Sequence, residues 1–519
     1  MFFSKKSSPS SHNPAPSNNN GTSPAVQVQP PLRGLNRAND QVFQELKATY
    51  LSEFDFKGIQ MTATPLHSSV LRGLQTELPI LFEIKVGQRS NVDKEQDFGR
   101  TPFNVCLVLD NSGSMDGARL QGCKKAINTI IQQLTPHDTL SLVTYSSTVK
   151  TVFVDCNHKH KNFMLASVDQ IKVEGMTNLH DGLKVGVESL KQSIMKEESA
   201  QEQQQQQQAQ HDSKRPQKKA HRVFLFSDGL VNQGITLPAT IMAHVKDWLH
   251  GTDISVSTFG IGEGYDEKLM TAIAQHANGD SFFIETEDDI EDLVSKGLRG
   301  VSNMIAPAAI LKIRGLGDAV IKDIPGYDMT KTPGQITIRN LRINGLIQLV
   351  VNLDIRVPGQ NDFSEDDMVD VEDLRKVLGY SLTFEGDQHF VNMSDCKGLS
   401  DTVSVNYTTD SSLVSDDKKN EDVVAYLAIK EAAKIDEEVV EHLANNRTAE
   451  ALSAKKRVVH MYSAAASKDR WGFAKVMQNQ SERLVRNLET SGNTQFAQVM
   501  SAQQKHQASD NDMGFGLFD

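Results

Sequence analysis

A regular alternation between strand-like and helix-like patterns runs from residue 103 to about residue 300, and it constrains the fold of this chain most. Continuous apolar runs at 103–110 and 221–228, FNVCLVLD and HRVFLFSD, predict buried parallel strands. Further strands are predicted at 139–147, 151–155, 253–262 and 280–286, and helices at 118–134, 179–194, 237–249, 265–277 and 289–303. Strands that alternate with helices of this length predict a doubly wound, Rossmann-like α/β sheet.

The segments on either side of this region alternate apolar with other side chains, as half-buried strands do. The apolar positions are Ile80, Phe82, Ile84 and Val86 before it, and Leu349, Val351, Leu353, Ile355 and Val357 after it. A segment as short as 52–86 would bury too little surface to be stable alone. We therefore expect one antiparallel β-sandwich, split in sequence by the inserted α/β domain, with two separate small β pieces as the alternative.

Amino-acid composition indicates where the rest of the chain is disordered and where it is folded. The first residues are rich in Ser, Pro and Asn, which predicts disorder, and the glutamine-rich tract predicts a flexible surface insertion. The expected organisation is 1–38 disordered, 39–99 first part of the sandwich, 100–304 α/β domain with a polyglutamine insert at 197–220, 305–412 second part of the sandwich, 413–492 a helical appendage, and 493–519 a disordered tail.

Charge and cysteine content exclude several classes of protein. A formal net charge of -12 argues against nucleic-acid binding, because phosphate contacts require clustered Lys and Arg. Only four cysteines occur, and the positions of Cys106 in an apolar strand and Cys123 in a helical pattern favour a reduced, intracellular protein over a disulfide scaffold. No apolar run approaches the ~18 residues of a membrane span, and no signal peptide is evident. We expect a cytoplasmic or nuclear location.

Oxygen-bearing side chains follow the predicted buried strands at three places. Asp110, Ser112 and Ser114 follow the first strand, Thr177 precedes a helix, and Asp228 ends another buried strand. Ligands of open parallel sheets bind at the carboxyl ends of the strands. Oxygen side chains brought together there can bind a hard cation. Strand termination and helix capping would explain any one of these motifs, but not all three together.

In this order and spacing the motifs resemble the metal-ion-dependent adhesion site of the von Willebrand factor type A family, over roughly residues 100–300. The resemblance implies a bound Mg²⁺, with Mn²⁺ or Ca²⁺ as alternatives. It implies that Ser112 and Ser114 bind the ion directly, that Thr177 does so in a high-affinity state, and that the aspartates act directly or through water. An acidic residue of a partner protein would complete the coordination shell.

The sequence supports an enzymatic function less well than a binding function. Asp110 after a strand resembles the nucleophile of haloacid-dehalogenase phosphatases, but those need a second carboxylate where this chain has Ser112. Neither Ser112 nor Ser227 lies in a Gly-x-Ser-x-Gly elbow. The segment with Cys156, His158 and His160 lacks a fourth ligand and the usual zinc spacing, so we expect an exposed, solvated turn there. We therefore expect a protein-binding scaffold and not an enzyme.

The last residues, SDNDMGFGLFD, resemble the C-terminal tail of the eukaryotic acidic ribosomal stalk proteins. This resemblance implies an alternative or additional function, in which the chain is a translation-linked adaptor. Phe515, Leu517 and Phe518 would then dock on a translational GTPase that reads stalk tails. An ordinary disordered terminus is the other interpretation.

Overall fold

The computed structural model of the chain describes residues 41–88, 101–207, 219–228, 230–262, 265–284, 289–327, 329–330, 332–356, 373–385 and 392–490, and positions 494, 497, 500, 501 and 504. The described helices are α1 (Gln41–Ser52), α2 (Ala118–Gln133), α3 (Lys161–Asp169), α4 (Leu179–Gln207), α5 (Pro238–Leu249), α6 (Glu267–His276), α7 (Ile290–Ser302), α8 (Glu421–Ala444), α9 (Thr448–Ala466) and α10 (Phe473–Thr490). In these ranges no helix combines the length and apolar character needed to cross a membrane.

The described strands fall into three sheets. They are β1 (Ile59–Pro65), β2 (Ser69–Leu71), β3 (Gln75–Val86), β4 (Phe103–Asp110), β5 (Thr139–Tyr145), β6 (Val149–Cys156), β7 (Ala220–Ser227), β8 (Ser255–Ile261), β9 (Ser281–Ile284), β10 (Met304–Gly315), β11 (Ala319–Asp323), β12 (Gln335–Arg342), β13 (Gly345–Arg356), β14 (Asp373–Glu385) and β15 (Ser400–Thr408).

The largest sheet has the order β6-β5-β4-β7-β8-β9 and forms the α/β domain. Its strands are parallel except β6, which is antiparallel to β5 at the edge. Alternate side chains of β4 face opposite sides. Val105, Leu107 and Leu109 pack in one apolar cluster with α2 and α7, whereas Cys106 and Val108 pack in another with α4, α5 and α6. The predicted α/β fold, with helices on both faces, is confirmed.

The polyglutamine region differs from the prediction at its start. Helix α4 continues to Gln207, so 197–207 are helical where a flexible insertion was expected; 208–218 lie outside the described residues. Glutamine is a good helix former, so the tract can extend a helix that packing has already nucleated. Lys219 Nζ donates to Glu197 Oε1 at 2.6 Å and to Thr139 Oγ1 at 2.8 Å, which fixes the chain where it re-enters the domain.

Two other sheets contain strands from both sides of the α/β domain. Their orders are β1-β3-β13-β11 and β12-β10-β14-β15-β2. Strand β3, before the α/β domain, pairs along its length with β13, after it. The second sheet is mixed and not purely antiparallel as expected, because β2 runs parallel to β15. Side chains from both sheets, including Phe82 and Leu311, belong to one buried apolar cluster.

Helix α1 lies in the range 39–99, which the alternating pattern had assigned to β-structure. Its Tyr50 packs with α8, α9 and α10 in a separate apolar cluster. That cluster includes Leu81 of β3 and Leu346 of β13, so the helices of the predicted appendage form a layer against this sheet. The aromatic residues of the C-terminal region serve in packing: Trp471 is only 4% exposed.

A buried carboxylate attaches the helical layer to the sheet. Glu83 of β3 accepts hydrogen bonds at 2.8 Å from Trp471 Nε1 and from Gln348 Nε2, and it forms an ion pair with Arg470. Tyr426 Oη donates to the Gln348 carbonyl at 3.0 Å. These bonds satisfy polar groups that would be costly to bury unpaired, and they fix the position of the α9–α10 connection.

Candidate metal centre

The two aspartates predicted as ligands lie at the same edge of the α/β sheet. Strands β4 and β7 are parallel neighbours with Leu109 opposite Phe226, so Asp110 and Asp228 leave the sheet side by side. Their exposed fractions are 0% and 1%. Ser227 Oγ donates to Asp110 Oδ2 at 2.9 Å and links the two strand ends.

The loop after β4 turns sharply around its own carboxylate. The Ser112 amide donates to Asp110 Oδ1 at 2.8 Å, and a short 3₁₀ turn over Gly113–Met115 follows. The hydroxyls of Ser112 and Ser114 are 3.2 Å apart. Ser112 is buried while Ser114 is exposed, so the loop presents hydroxyl oxygen from the interior to the surface.

Hydrogen bonds of the backbone and of the Asn232 side chain bring the Thr177 loop against both other loops. The Gly113 amide donates to the Gly175 carbonyl at 3.1 Å. The Thr177 amide donates to Asn232 Oδ1 at 2.8 Å, and the Asn232 amide donates back to the Thr177 carbonyl at 3.2 Å. The structure therefore places the three loops side by side, as the sequence motifs required.

The electrostatics of this cluster are those of excess negative charge. Burial raises the pKa of Asp110 to about 6, and the nearby charge of Asp228 adds to that rise against hydrogen bonds from Ser112 and Ser227. Asp228 Oδ2 is buried and accepts no hydrogen bond. A buried carboxylate oxygen without a partner is costly unless a cation or donor compensates it. Together with the hydroxyl and carboxylate donor set, this oxygen fits a hard divalent cation.

One basic side chain at the site was not anticipated from the sequence. Arg119 Nη1 lies 3.8 Å from Asp228 Oδ2 and donates to the Ser114 carbonyl at 3.2 Å. Its side chain is 35% exposed. The available signal was its position in the first turn of α2, directly after the Asp-x-Ser-x-Ser loop. Ser227 and Asn232, which position Asp110 and Thr177, were also missed.

The turn after Cys156 is exposed at Lys159 and His160, as expected, but Cys156 itself is buried. Cys156 is 7% exposed, and its thiol donates to the Val154 carbonyl. His160 Nδ1 accepts from the Asn157 amide at 3.2 Å as part of a capping box. Within the described residues, no group of three or more His, Cys, Asp and Glu side chains could hold a metal, and the four cysteines are free thiols. The hydroxyl-rich set around Asp110 is of a different kind.

Residues 104–296 match the family model described as "von Willebrand factor type A domain". Among curated proteins, the chain is 25% identical over 198 residues to the uncharacterized protein YfbK of Escherichia coli, covering 38% of this chain and 31% of that protein. It is 24% identical over 223 residues to human inter-alpha-trypsin inhibitor heavy chain H3, covering 41% of this chain and 23% of that protein. Among the first such relatives, the matched region spans between 16% and 39% of their own length.

Solved structures extend the likeness of fold beyond that region. A von Willebrand factor type A protein from Catenulispora acidiphila superposes with a TM-score of 0.59 at 12% identity, covering 83% of this chain and 91% of that one. The ArnB paralog VWA2 from Sulfolobus acidocaldarius gives 0.51 at 12% identity, covering 88% and 100%. At such identities the likeness concerns the fold alone. The chain therefore contains a von Willebrand factor type A domain, within a larger architecture that also occurs in solved structures.

Proposed function

We propose that the chain binds a divalent cation through Asp110, Ser112, Ser114, Thr177 and Asp228 and uses it to capture an acidic residue of a protein partner. Von Willebrand factor type A domains are typically metal-dependent protein-interaction modules. The observation that carries the proposal is the buried Asp228 Oδ2, which accepts no hydrogen bond and follows a strand end that Ser227 links to Asp110. Mg²⁺ is the proposed ion, with Mn²⁺ or Ca²⁺ as alternatives.

The five residues have different roles in binding the ion. Asp110 is held by hydrogen bonds to both of its carboxylate oxygens, so it supplies fixed negative charge. Ser112, Ser114 and Thr177 supply neutral oxygens, and Asp228 supplies Oδ2, which accepts no hydrogen bond and lies 3.8 Å from Arg119 Nη1. When bound, a divalent cation would keep net positive charge that a partner carboxylate can neutralise. No residue of the set is placed as a nucleophile with an adjacent base, and we propose binding without catalysis.

We further propose that the protein acts inside the cell as a scaffold. Free thiols, one of them in an apolar strand, suit a reducing compartment. The two flanking sheets would act as one sandwich that holds the interrupted α/β domain at both of its ends. A larger assembly could then form without covering the edge of the sheet where the three loops lie.

Thermal and urea unfolding with and without Mg²⁺ test the metal site. Saturating ion should stabilise the wild type by ~1–3 kcal/mol, since a ligand that binds only the folded state adds RT ln(1 + [L]/Kd). Asp110→Ala and Asp228→Ala should lose this response. Asp318→Ala, at an exposed position of the flanking sheets, is the matched control and should respond as the wild type does. An unchanged response in both site variants, or none in the wild type, contradicts the proposal.

A pull-down from cell extract tests the partner. Proteins retained in Mg²⁺ should be released by EDTA and should be absent when the bait carries Asp228→Ala. The Asp318→Ala bait should retain them. If the proteins are still retained in EDTA and by the Asp228→Ala bait, they bind elsewhere on the molecule.

A second candidate function rests on residues 510–519, which lie outside the described residues. We propose that Phe515, Leu517 and Phe518 dock on a translational GTPase that reads stalk tails, because the segment joins acidic residues to a short cluster of large apolar ones. A peptide of residues 506–519 should bind translation elongation factor two, and Phe515→Ala with Leu517→Ala should abolish binding. Equal binding by both peptides would reduce the resemblance to coincidence.

A further inference from the structure

We infer that the metal centre binds an extended peptide segment of a partner protein through three of its side chains. One is an acidic residue on the cation, the second is another acidic residue at Arg119, and the third is a large apolar residue beside Met176 and Leu230. This inference rests on the proposed metal site and names the class of partner segment that the site accepts. The surface differs on the two sides of the cation ligands, because it is cationic on one side and apolar on the other.

The strand ends at this edge of the sheet set the positions of the three contacts. The strand order is β5-β4-β7-β8, and Asp110 and Asp228 follow the two inner strands. Neighbouring strands are about 4.8 Å apart, so the ends of β5 and β8 lie about 7 Å to either side of the midpoint between the two aspartates. Groups held over β5 and over β8 therefore flank the cation ligands.

Arg119 lies on the β8 side of the centre. Its guanidinium packs against Gly262, which directly follows β8, and a Cβ atom at that glycine would lie 2.6 Å from Arg119 Nη2. Arg119 Nη1 lies 3.8 Å from Asp228 Oδ2 and donates to the Ser114 carbonyl at 3.2 Å. A guanidinium has five N–H donors in a planar fork, and this is the one hydrogen bond that Arg119 makes to the described residues. Since the side chain is 35% exposed, it can bind a carboxylate that arrives from solvent.

Met176 and Leu230 form an apolar surface on the β5 side. Each of them is 49% exposed. The Met176 amide donates to Ser147 Oγ at 2.9 Å, which holds Met176 over the end of β5. The loop that carries Leu230 turns toward the same side, because Gln233 Nε2 donates to the Ser147 carbonyl at 3.3 Å. Single exposed apolar residues are common on protein surfaces, but these two are fixed through the same residue beside the cation ligands.

An extended peptide has the side-chain spacing that these positions require. Side chains i and i+2 of an extended chain face the same way and are about 6.6 Å apart. This spacing is close to the distance from the cation ligands to either outer strand. A peptide with one acidic side chain on the cation therefore brings the side chains two residues away over Arg119 in one direction and over Met176 in the other.

The charges favour a ligand with two acidic residues over a ligand with one. The chain as a whole repels an acidic segment, since its net charge is -12. At this edge, however, a bound divalent cation and Arg119 would place positive charges close together, and these repel each other. A second carboxylate on the guanidinium offsets that repulsion. The second acidic residue thus adds to affinity at this edge and not elsewhere on the acidic surface.

Two capped fluorescent peptides test the inference by their affinity for the full chain in Mg²⁺, measured by anisotropy. They are Leu-Thr-Asp-Thr-Asp and Asp-Thr-Asp-Thr-Leu, which present the same groups in the two chain directions. In the peptide that binds more tightly, replacing the outer aspartate by asparagine should weaken binding about tenfold, since a charge-assisted hydrogen bond is lost. Replacing the leucine by serine should weaken binding about fivefold, since less apolar surface is buried.

Paired changes in protein and peptide assign each contact. Arg119→Gln should remove the preference for the outer aspartate without lowering the affinity for the peptide with asparagine there, and Arg119→Lys should keep part of it, because lysine retains the charge but not the fork. Met176→Gln with Leu230→Gln should remove only the preference for leucine. Arg299→Gln, and Val320→Gln at a position 68% exposed, are the controls and should keep both preferences.

Binding of Mn²⁺ to the same proteins, followed by electron paramagnetic resonance, separates this inference from the proposed metal site. If Mn²⁺ binds but neither peptide does, or the peptides bind equally well in EDTA, the inference is wrong and the metal site stands. The inference is also wrong if the outer aspartate contributes equally in wild type and Arg119→Gln, or if the leucine contributes equally with and without Met176 and Leu230. If Mn²⁺ does not bind, the metal site is wrong and the inference is wrong with it.

Discussion

Two regions of the molecule bury carboxylates and treat them differently. In the C-terminal helices, Asp436 and Lys455 are both 0% exposed and form an ion pair. Lys455 also donates to Gln504, which in turn accepts from Ser481 Oγ at 3.2 Å. At the edge of the α/β sheet, Asp110 and Asp228 are equally buried, but the basic group at this site is Arg119, 3.8 Å from Asp228 and partly exposed.

This difference in the partners of the buried carboxylates indicates what each arrangement can do. Burial raises the pKa of Asp436, and the charge of Lys455 works against that rise, so the pair compensates itself inside the helical layer. Replacing such a pair by apolar residues is often neutral or stabilising, whereas removing one partner is costly. The cluster of Asp110 and Asp228 has the partly exposed Arg119 at 3.8 Å in place of a buried lysine, and under the proposed function a cation would complete it. The first carboxylate is closed off by a buried lysine in direct contact, although Asp436 Oδ2, like Asp228 Oδ2, accepts no hydrogen bond, and the second is open to a ligand.

The largest effect is expected from opening the closed pair. Lys455→Met should lower the free energy of unfolding by about 3–5 kcal/mol, because it leaves Asp436 buried and uncompensated. Replacing both residues, Asp436→Leu with Lys455→Met, should recover most of that loss. Urea unfolding measures both variants. Lys456→Met, at a 55% exposed position paired with Glu489, is the control and should change little. A small change in the free energy of unfolding for Lys455→Met alone would mean that Asp436 does not depend on Lys455 for compensation of its charge.

A second effect should appear when the open cluster is titrated without metal. Since the pKa of Asp110 is raised from 3.8 to about 6, the folded state holds its proton more tightly than the unfolded state does. This contribution to stability is present below about pH 4 and is lost as pH rises through about 6, by at most about 3 kcal/mol.

Urea unfolding in EDTA at about pH 4.5 and about pH 7.5 measures this loss, with Asp110→Asn as the comparison. The variant should show a smaller decline with pH, and Mg²⁺ should reduce the decline in the wild type because a cation favours the charged carboxylates. Identical pH profiles for wild type and Asp110→Asn in EDTA would show that the two buried sites do not differ in the way described.

A smaller effect is expected from the partial counter-charge of the open site. Arg119→Gln should tighten Mg²⁺ binding by roughly three- to tenfold, since it removes positive charge from beside the cation, and high salt should reduce the difference. Isothermal titration calorimetry at two salt concentrations measures it. Arg299→Gln on α7, also exposed, is the control for the loss of a charge. Weaker binding by Arg119→Gln would mean that the guanidinium supports the site.

The smallest effect is expected at the surface beside the metal loops. Lys150 and Glu174 form an ion pair in which the side chains are 54% and 43% exposed. Lys150→Ala should change the free energy of unfolding by under ~0.5 kcal/mol, because water screens such pairs. Urea unfolding at low and high salt checks this. A loss near that of Lys455→Met would show that burial does not decide the strength of these pairs.

Much of the α/β domain could be predicted because its patterns are local. The apolar run of β4 ends at Asp110 in sequence and in structure, and α2 begins where helical spacing begins. The three loops could also be predicted to meet, since parallel strands bring their carboxyl ends to one edge. Helix α1 was missed because Gln41–Ser52 has weak periodicity, and its burial depends on residues more than three hundred positions away.

The sequence by itself determined most elements of the α/β domain and the positions of the oxygen-bearing side chains at its edge, because hydrophobic period and strand-end position are properties of short segments. Tertiary structure alone decided which buried charges are compensated. The sequence around Asp436 does not indicate that Lys455 and Gln504 lie close to that pair in the fold. The sequence around Asp228 does not indicate that Arg119 is its neighbour. Electrostatic energy depends on distance through space and on burial, and chain separation encodes neither.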